Sequence, residues 1–498
     1  MDAKTLFQGF SIEPVEPFEV SGLCLHSQHL KAGEAFFAFP GTHQDGRHFL
    51  SDVLSKRPSA LVVEAHELEN FPLPKTDIPI VRVLELHKNL GFIASRFYQE
   101  PSSKMHIIGV TGTSGKTTTS YLIYQAFQSL GIKSGYIGTL GVAFDTVETE
   151  PTLTTPDAIT LQKVLRKMVD VGVEVLAMEV SSHALSQHRT NGIQFDQAVF
   201  TNLTPEHLDY HQDMESYGKA KEILFRKPEL KVVTLNAEDA YCLNLASRLD
   251  PKLPMVLTST QPITSAHVQH KLKVIPKDYQ LTSAGIDAKL LTPWGEGELH
   301  SKLIGKFNLI NLLMVVSVLC QYGVELKEVL HAAQKLQPVK GRMERLGGAN
   351  FPQIIIDFAH KPDALRSALE AARSICKHRL WVVFGCGGNR DTLKRKEMGK
   401  IASQLADKVV ITNDNPRDES PKAIIQDILM GIDAHDGNKV VVEEDRKSAI
   451  SYAINHALCH DVILVAGKGH ESYQIIGSQK IPYSDSGWVK QVLSEFSA

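Results

Sequence analysis

The sequence has few cysteines, few aromatic residues and no long apolar segment. Its 6 cysteines are scattered over 498 residues without a Cys-x-x-Cys pair, which argues against a disulfide framework or a zinc ribbon and fits a reducing compartment. No apolar run approaches the roughly 20 residues of a membrane-spanning helix. The first residues, MDAKTLFQGF, lack the basic and then apolar pattern of a signal peptide. These absences predict a cytoplasmic protein with no membrane partner.

An excess of charge of one sign is also absent. The 53 Lys and Arg residues nearly balance the 56 Asp and Glu residues, which gives a formal net charge of −3. Without a basic run we expect no nucleic-acid partner, so any bound nucleotide is a small molecule. A hydrophobic content of 43% excludes a disordered, collagenous or coiled-coil chain. At the usual domain size this length corresponds to about three domains.

Apolar runs alternate with stretches long enough for helices in the middle and the last third of the chain. This alternation predicts parallel sheets with helical crossovers, and hence an α/β fold class. The later series predicts an open Rossmann-like domain. The central runs lie at 106–110, 173–180, 197–200 and 231–235, and the later runs at 354–357, 381–385, 408–412, 439–443 and 461–467.

The first hundred residues differ because their β-like runs are short and lie at 34–39, 59–64 and 79–84. The segment PSSK at 101–104 is the predicted linker to the central series. We therefore predict an α/β protein of three domains. They are an amino-terminal domain over 1–102, a central domain with a mainly parallel sheet over 103–336 and a Rossmann-like carboxy-terminal domain over 337–498.

A glycine-rich loop, GTSGKTT at 112–118, follows the first central run. Glycines let backbone N–H groups approach phosphate oxygens, Lys116 can neutralise β/γ-phosphate charge and the Thr117 hydroxyl can bind Mg²⁺. The spacing departs from the pattern G-x-x-x-x-G-K-[ST], because Val110 occupies the first glycine position and Gly109 lies one place earlier. The preceding strand and following helix favour a phosphate loop over a Gly/Thr-rich turn.

Polar residues follow the central run at 173–180. Glu179 lies where a phosphate-loop enzyme places its Mg²⁺-binding carboxylate, with a solvated cap as the alternative. Ser181-Ser182-His183 continues the polar segment and favours a site. His207 and His211 have the i, i+4 spacing that could hold zinc or a second magnesium. Because that segment offers no third ligand, ordinary polar surface is the alternative.

Two loops after the later runs carry charged residues. The glycines at 385–388 lack the spacing of a dinucleotide fingerprint, which leaves an anion-friendly loop followed by Arg390. Residues 414–417, DNPR, display an acid and a guanidinium together, the pair expected for a zwitterionic amino acid. An ordinary Asx turn is the alternative. Lys221 lies on an amphipathic helix, and its pattern alone predicts a solvated lysine.

The chain resembles the Mur ligases in motifs that span nearly its whole length. In that family, DNPR marks the members that add meso-2,6-diaminopimelate, and members that add L-lysine differ where Arg417 stands. The chain departs from the family pattern at three places. It has Ser114 where the family usually has Asn, Lys340 where the family has Pro, and DFAHK where the family commonly has DYAHT. The motifs are, in order, TGTSGKTTT, EVSSHAL, TNLTPEHLDYH, GKFNLIN, GRMERL, DFAHKPDAL, GCGGNRD, DNPR and AGKGHE.

The resemblance implies a set of site residues. It explains the loop spacing, since the family uses the shorter TGT-x-GKT form, and it implies that Lys221 is carbamylated to N6-carboxylysine. The implied ATP-binding residues are Gly112, Thr113, Ser114, Gly115, Lys116, Thr117, Thr118, Asn308, Arg342 and Asp357. The implied catalytic residues are Lys116, Glu179, His207, Lys221 and His360, and the implied Mg²⁺ ligands are Thr117, Glu179, His207 and Lys221.

The resemblance also implies two further substrate sites. For a UDP-sugar dipeptide it implies Leu25, Ser27, His43, Gln44 and Asp45 at the uridine and diphosphate, and Thr154, Thr155, Ser181, Gln187 and Arg189 at the muramoyl dipeptide. For diaminopimelate it implies Arg390, Asp414, Asn415, Pro416, Arg417, Gly467 and Glu471.

The activity implied by the resemblance is ATP-dependent amide ligation in cytoplasmic peptidoglycan precursor synthesis, which serves cell wall biogenesis, cell shape and division. We expect meso-2,6-diaminopimelate to be joined to the D-Glu γ-carboxylate of UDP-N-acetylmuramoyl-L-alanyl-D-glutamate through an acyl phosphate, with Mg²⁺ as cofactor and with release of ADP and phosphate. We also expect a monomer. The alternatives are an L-lysine-adding ligase, a folylpolyglutamate synthetase-like ligase, a phosphate-loop kinase and a non-catalytic nucleotide-binding protein.

Overall fold

The computed structural model describes residues 1–42, 44–68, 71–149, 153–265, 268–269 and 271–495. These residues form two compact units. The first holds the described residues of Met1–Ser120, Leu130–Leu235 and Asp239–Val256. The second holds Tyr121–Ser129, Asn236–Glu238 and the described residues from Leu257 onward. The domain divisions after residues 102 and 336 stay predictions.

The first unit begins with α1 (Ala3–Phe7), β1 (Gly22–Cys24), β2 (Glu34–Ala38), β3 (Ala60–Glu64), β4 (Ile80–Val83) and α2 (Leu86–Phe97). The strands form a parallel sheet in the order β1-β2-β3-β4. The Glu64 carboxylate ends β3 and accepts hydrogen bonds from the backbone N–H groups of Glu85 and Leu86 at 3.0 and 2.7 Å. It thereby caps α2, because the first N–H groups of a helix have no partner within the helix.

The central elements are β5 (His106–Thr111), α3 (Lys116–Ser129), β6 (Ser134–Gly138), β7 (Gly141–Phe144), β8 (Val147–Thr149), α4 (Ala158–Asp170), β9 (Val175–Glu179), α5 (Ser182–Ser186), β10 (Gln197–Phe200), α6 (Leu208–His211), α7 (Met214–Phe225), β11 (Val232–Asn236), α8 (Ala240–Arg248) and β12 (Met255–Thr258). Strands β11-β10-β5-β9-β6 are parallel neighbours, and β7 and β8 continue this sheet antiparallel. The carboxyl ends of β5, β9 and β10 therefore lie at one sheet edge.

The second unit contains β13 (Leu272–Leu281), β14 (Ile286–Thr292), β15 (Gly295–Ser301), α9 (Lys306–Tyr322), α10 (Leu326–Lys335), β16 (Glu344–Gly347), β17 (Gln353–Asp357), α11 (Pro362–Ile375), β18 (Leu380–Phe384), α12 (Leu393–Leu405), β19 (Lys408–Ile411), α13 (Pro421–Leu429), β20 (Val440–Val442), α14 (Arg446–His456), β21 (Val462–Ala466), β22 (Tyr473–Ile476), β23 (Gln479–Pro482) and α15 (Asp485–Glu495). Strands β13, β14 and β15 form an antiparallel meander, and β22 and β23 form a hairpin.

The later strands form a sheet in the order β16-β17-β21-β18-β19-β20, in which only the pairing of β16 with β17 is antiparallel. Successive strand residues face opposite helical layers, as a buried α/β sheet requires. Ile355 packs in the layer of α11, α12 and α13, whereas Ile354 packs in the layer of α14 and α15. This region is therefore a helix–sheet–helix sandwich.

The predicted α/β fold class with mainly parallel sheets is confirmed, and the predicted apolar runs coincide with strands. Two local features differ from the sequence prediction. The meander at 272–301 was not predicted, because its strands are half exposed and lack long apolar runs. The predicted linker is a 3₁₀ turn, Pro101–Lys104, in which buried Ser102 accepts a hydrogen bond from the Gln194 N–H at 3.2 Å. Across the described residues, no helix has the length and apolarity needed to cross a bilayer.

Candidate active site

The loop between β5 and α3 has the backbone conformation of an anion cradle. Gly112 and Gly115 have φ values of +142° and +84°, in the region that side chains other than glycine rarely adopt. A Cβ on Gly112 would lie 1.9 Å from Thr201 Oγ1, so glycine is also required there by space. Helix α3 begins directly after this loop, and the N-terminal end of a helix favours negative charge.

The segment 201–204, which follows β10, holds the loop in place. Asn202 accepts a hydrogen bond from the Ser114 N–H at 2.9 Å through Oδ1 and donates to the Ser114 carbonyl at 3.1 Å through Nδ2. The Thr113 hydroxyl donates to the Thr204 carbonyl at 3.1 Å and accepts from the Thr204 N–H at 3.0 Å. Ser114 therefore serves the loop through its backbone, which explains why serine is accommodated at this position.

Lys116 and Thr117 begin helix α3 with their polar groups at the loop. The Lys116 ammonium donates hydrogen bonds to the carbonyl groups of Gly112 and Thr113 at 2.8 and 2.9 Å. Thr117 Oγ1 donates to Glu179 Oε2 at 3.0 Å. The structure thus brings together the predicted loop lysine, the predicted hydroxyl and the predicted strand-end carboxylate.

Glu179 is completely buried, and its two oxygens are the centre of a hydrogen-bond network. Oε1 accepts from Tyr136 Oη at 2.5 Å and from the Thr139 N–H at 2.8 Å. Oε2 accepts from Thr139 Oγ1 at 3.1 Å as well as from Thr117. Tyr136 and Thr139 were not predicted from the sequence. Tyr136 lies on β6 and Thr139 directly follows it, so their position at a strand end is the sequence feature that could have indicated a site role.

The donor set at Thr117 and Glu179 fits Mg²⁺. This ion prefers hard oxygen ligands, and protein sites for it combine one or two carboxylates or hydroxyls with substrate phosphates. A hydroxyl and a carboxylate oxygen 3.0 Å apart beside a phosphate-type loop meet that description. No group of three or more His, Cys, Asp or Glu side chains suited to a metal ion occurs among the described residues.

Three histidines lie close together in the first unit. The His183 ring is 4.6 Å from the His207 ring and 5.4 Å from the His211 ring, so His183 stands between the two histidines of the predicted i, i+4 pair. His207 has a φ of +55° and precedes α6 rather than lying on a helix face. Buried His211 Nε2 is 3.0 Å from Ser182 Oγ. Burial, with His183 and Lys221 nearby, lowers the pKa of His211 to about 4, so this ring is neutral at pH 7.

Lys221 is buried, and the prediction of a solvated lysine from its pattern alone is wrong. Its side chain is 1% exposed, its Nζ donates to the Gly112 carbonyl at 2.9 Å and lies 4.3 Å from the centre of the Tyr217 ring. The neighbouring Glu222 fixes the register of α7, since it accepts hydrogen bonds from Arg226 at 3.0 Å and Tyr241 at 2.6 Å. The helix therefore carries a lysine ammonium to the phosphate-type loop.

The residues predicted for a muramoyl dipeptide form a second group in the first unit. Thr155 Oγ1 donates to the Glu179 carbonyl at 2.9 Å and accepts from the Ser181 N–H at 3.1 Å. Arg189 donates to the Thr155 carbonyl at 3.0 Å and also hydrogen-bonds Gln187. Thr154 Oγ1 is 3.2 Å from Thr139 Oγ1. These five predicted residues therefore share one network with the carboxylate site.

The residues predicted for uridine lie on loops of the first sheet. Lys56 Nζ donates to the carbonyl groups of Ser27 and Gln28 at 2.6 and 2.9 Å and so fixes the turn after β1. The Asp45 carboxylate accepts from Arg47 Nη2 at 2.7 Å and from the Arg47 N–H at 2.9 Å, so its side chain has an internal structural role. Leu25 is partly buried and Gln44 is exposed, whereas His43 lies outside the described residues.

The second unit gathers charged groups at the carboxyl ends of its parallel strands. Residues 414–417 follow β19, residues 385–390 follow β18 and residues 467–471 follow β21. Asp414 is 8% exposed, and its Oδ2 is buried without a hydrogen-bond partner among the described residues. Gly467 has a φ of +115°, and a Cβ there would lie 2.5 Å from that oxygen. The predicted residues therefore meet, and one buried Asp414 oxygen lacks a hydrogen-bond partner among the described residues.

Arg417 is fixed by the loops on both sides. Its Nη1 donates to the Gly388 carbonyl at 2.7 Å, and its backbone N–H donates to the Ile475 carbonyl at 3.2 Å. Pro416 is buried in the turn, and Arg390 is exposed after the glycine loop. The two predicted arginines therefore lie on neighbouring loops. The hydrogen bond from Arg417 to the Gly388 carbonyl joins these loops directly.

Buried cations support these loops, and the sequence reasoning missed them. Arg395 is 1% exposed and pairs with Glu419 at 2.8 Å and Asp427 at 2.9 Å. Arg446 is also 1% exposed and pairs with Asp485 at 2.7 Å while donating to the Asn413 and Ala466 carbonyls. A third buried cation, Lys468, lies within the AGKGHE motif. The motif was the only sequence feature that pointed to one of these buried cations. Arg395 and Arg446 gave no such indication, since a charged residue on a helix usually faces solvent.

A ring cluster lies beside the end of β17. The Asp357 carboxylate accepts from the Met343 and Ala359 N–H groups, each at 2.8 Å, and burial raises the pKa of Asp357 while Arg342 lowers it. The Arg342 guanidinium lies 4.3 Å from the centre of the Phe358 ring, and the His360 ring lies 4.6 Å from it. Asn308, in the first turn of α9, is buried and donates to the Ile304 carbonyl at 2.8 Å.

Family models match most of the chain. The model described as "Mur ligase middle domain" matches residues 110–319, and the model described as "Mur ligase, glutamate ligase domain" matches residues 341–469. The UDP-N-acetylmuramoyl-L-alanyl-D-glutamate–2,6-diaminopimelate ligase of Coxiella burnetii is 43% identical over 95% of this chain and 96% of its own length.

The chain is also similar to solved structures. A structure of a UDP-N-acetylmuramoyl-L-alanyl-D-glutamate–2,6-diaminopimelate ligase has a TM-score of 0.71 and 30% identity, with complete coverage of both chains. A folylpolyglutamate synthase from Mycobacterium tuberculosis, in complex with ADP and AMPPCP, has a TM-score of 0.59 at 16% identity and covers 75% of this chain and 91% of its own. The second likeness shows the fold alone.

Proposed function

This chain belongs to the Mur ligase family, and we therefore propose that it joins 2,6-diaminopimelate to UDP-N-acetylmuramoyl-L-alanyl-D-glutamate at the expense of ATP. The new bond is an amide between the D-Glu γ-carboxylate and an amine of meso-2,6-diaminopimelate. The product is a cytoplasmic precursor of peptidoglycan. We also propose that the enzyme acts as a monomer, which size-exclusion chromatography with light scattering tests.

The DNPR turn carries the choice of amino acid. Asp414 Oδ2 is buried and has no hydrogen-bond partner among the described residues, so it can accept a hydrogen bond from a ligand ammonium. Arg417 lies on the same turn and offers a guanidinium to a carboxylate. The distal end of diaminopimelate carries both an ammonium and a carboxylate, whereas L-lysine carries only the ammonium. The pairing of an acid and an arginine therefore suits diaminopimelate.

Residues of the first unit activate the D-Glu γ-carboxylate of the substrate. A carboxylate is a poor acyl donor, so an oxygen of the D-Glu γ-carboxylate attacks the γ-phosphorus of ATP, ADP leaves and an acyl phosphate forms. Lys116 and the N–H groups of residues 112–118 hold the phosphate charge that accumulates in this step. Mg²⁺, when bound, neutralises part of the same charge. The side chains of Thr117 and Glu179 would hold the Mg²⁺ ion, and we propose His207 as a further ligand.

Amide formation completes the reaction. The neutral amine of diaminopimelate attacks the acyl carbon, phosphate leaves with the bonding electrons of the C–O bond, and the nitrogen loses a proton. Asp414 and Glu471 hold ammonium groups of the amino acid, while Arg417 and Arg390 hold its distal carboxylate. Asn308, Arg342, Asp357 and His360 are proposed to contact the nucleotide.

Lys221 is proposed to act as N6-carboxylysine. Carbamylation replaces the buried ammonium with a carboxylate, which can bind Mg²⁺ where an ammonium would be repelled. We expect Lys221→Ala to be nearly inactive and to recover part of its activity with short carboxylic acids. Recovery with simple amines instead would show that the cation is the active form. A mass increase equal to one CO₂ on the peptide that contains Lys221 gives a readout independent of activity.

One assay tests the proposed activity. ADP release is measured with UDP-N-acetylmuramoyl-L-alanyl-D-glutamate present, while meso-diaminopimelate, L-lysine or a folate substrate is added in turn. We expect release only with diaminopimelate, and mass spectrometry should find the corresponding amide. Equal release with L-lysine would make the chain a lysine-adding ligase. Absence of release with every acceptor would leave a nucleotide-binding protein.

A further inference from the structure

Lys468 is a completely buried lysine in the loop after β21. Its Nζ donates hydrogen bonds to Asn415 Oδ1 at 3.0 Å and to Glu471 Oε2 at 2.7 Å. Asn415 Nδ2 donates to the same Glu471 oxygen at 3.0 Å. The three side chains therefore close a hydrogen-bonded triangle that joins the DNPR turn to the loop after β21.

The neighbouring turn is tied to the hairpin on its other side. Asn415 Oδ1 also accepts from the Ile475 N–H at 2.9 Å, and Gln474 Nε2 donates to the Asp414 carbonyl at 2.7 Å. With the backbone fixed in this way, a change at Lys468 acts on the charge and orientation of the site side chains. It does not act by releasing the whole turn.

The charges near Asp414 give Lys468 a second effect. Burial raises the pKa of Asp414, Lys468 and Arg446 lower it, and Glu471 and Asp485 raise it. Arg446 is already engaged with Asp485 through bonds of 2.8 and 2.7 Å. Lys468 is the larger of the two positive influences on this carboxyl.

We propose that Lys468 is a positioning residue of the amino-acid site, whose buried ammonium holds Asn415 against Glu471 and so orients the acids that face the ammonium groups of a diamino acid. The inference rests on the proposed function of this site. Without the ammonium, Asn415 and Glu471 lose a shared hydrogen-bond donor. The buried Asp414 carboxyl, whose pKa burial already raises, also loses a nearby positive charge that lowers its pKa, so it takes up a proton more readily. A protonated acid no longer attracts a ligand ammonium by charge.

The test is the full-length variant Lys468→Met, with the KM for diaminopimelate measured across pH. Loss of a charge-assisted contact should raise this KM about tenfold or more, and proportionally more than it lowers kcat. The acid limb of kcat/KM for diaminopimelate should move to higher pH by about one unit, since that limb reports a group of the free enzyme. The KM for ATP should stay within about twofold. An unchanged KM for diaminopimelate with an unmoved acid limb overturns the proposal.

Lys480→Met is the matched control. Lys480 Nζ lies 4.6 Å from the centre of the Tyr473 ring and Lys468 Nζ lies 5.8 Å from the same ring, but Lys480 is exposed on β23. Both variants remove one positive charge from the same neighbourhood. If Lys480→Met raised the KM as much as Lys468→Met, general attraction of the substrate would explain the effect and the proposal would be wrong.

A second comparison covers the case in which Lys468→Met does not fold. The double variant Lys468→Met/Glu471→Gln leaves no uncompensated Glu471 charge, and its reference is Glu471→Gln alone. Addition of the lysine change should raise the KM further and move the acid limb. No additional change overturns the proposal. A wild-type enzyme that does not use diaminopimelate would instead refute the proposed function, so the two failures are distinguishable.

Discussion

The phosphate-type loop of the first unit and the DNPR turn of the second are both loops after parallel strands, yet they are held differently. Residues 112–118 are held by backbone geometry and by short hydrogen bonds to residues 201–204. The DNPR turn is held by the hairpin and by the buried pair of Arg446 and Asp485, and Lys468 orients the Asn415 side chain of the turn. A loop that binds phosphate needs convergent N–H groups and one cation. A site that separates two similar amino acids needs fixed charges of both signs.

This difference explains which parts the sequence could predict. The phosphate loop was predictable because its glycines, lysine and threonine are adjacent and because a strand and a helix flank them. Glu179 was predictable from its place at the end of an apolar run. These features are local, so a short segment contains the complete signal.

The Lys116→Ala variant tests the role of the phosphate-type loop and should reduce activity more than any other change considered. Loss of the ammonium leaves the transferred phosphoryl group without its main protein cation, so we expect kcat to fall by at least about 100- to 1000-fold. Affinity for the UDP substrate should be almost unchanged, because uridine is predicted to bind the first sheet. Single-turnover ADP release measures the loss of kcat, and calorimetry measures the affinity for the UDP substrate. Lys163→Ala, at an exposed position of α4, is the control, and comparable turnover by Lys116→Ala would remove Lys116 from the mechanism.

The Arg417→Ala variant tests the amino-acid side, with an expected loss of about 100-fold in kcat/KM for diaminopimelate. The distal carboxylate loses its guanidinium partner, whereas L-lysine has no such group to lose. The preference for diaminopimelate over L-lysine should therefore narrow, and competition between the two substrates measures it. Arg366→Ala, at an exposed position of α11, is the control. An unchanged preference would show that the DNPR turn is not the selector.

The supporting ions were not predictable, for a physical reason. Arg395 and Arg446 lie on helices whose polar residues normally face solvent, and their partners are distant in sequence, as for Arg446 and Asp485. Burial of such a pair depends on how the sheet brings its strand ends together. The meander at 272–301 escaped prediction similarly, because its stability depends on pairing between strands rather than on one apolar run.

Arg446→Ala should lower the stability of the second unit, because the DNPR turn depends on a buried ion pair. Removal of the guanidinium leaves Asp485 buried without its cation, which costs about 3–5 kcal/mol of unfolding free energy. Trp294, Trp381 and Trp488 are the 3 tryptophans of the chain and all belong to the second unit, so their fluorescence in urea reports its unfolding. Arg379→Ala, at an exposed position before β18, is the control. A loss below about 1 kcal/mol would show that the pair is not a main support.

The smallest effect concerns pH and His470. Burial, with Arg342, Lys340 and Lys468 nearby, lowers the pKa of His470 to about 3, far below the value of about 6.5 for an unfolded histidine. Between these two values the unfolded chain binds more protons than the folded chain, so the stability from a neutral His470 is complete above pH 6.5 and is lost progressively as pH falls toward 3. His470→Asn should therefore reduce the loss of unfolding free energy between pH 7 and pH 5 by about 2 kcal/mol. The tryptophan signal in urea measures it, with exposed His460→Asn as the control. An identical pH dependence in His470→Asn and the wild type would mean that burial and the nearby cations do not keep the His470 ring neutral.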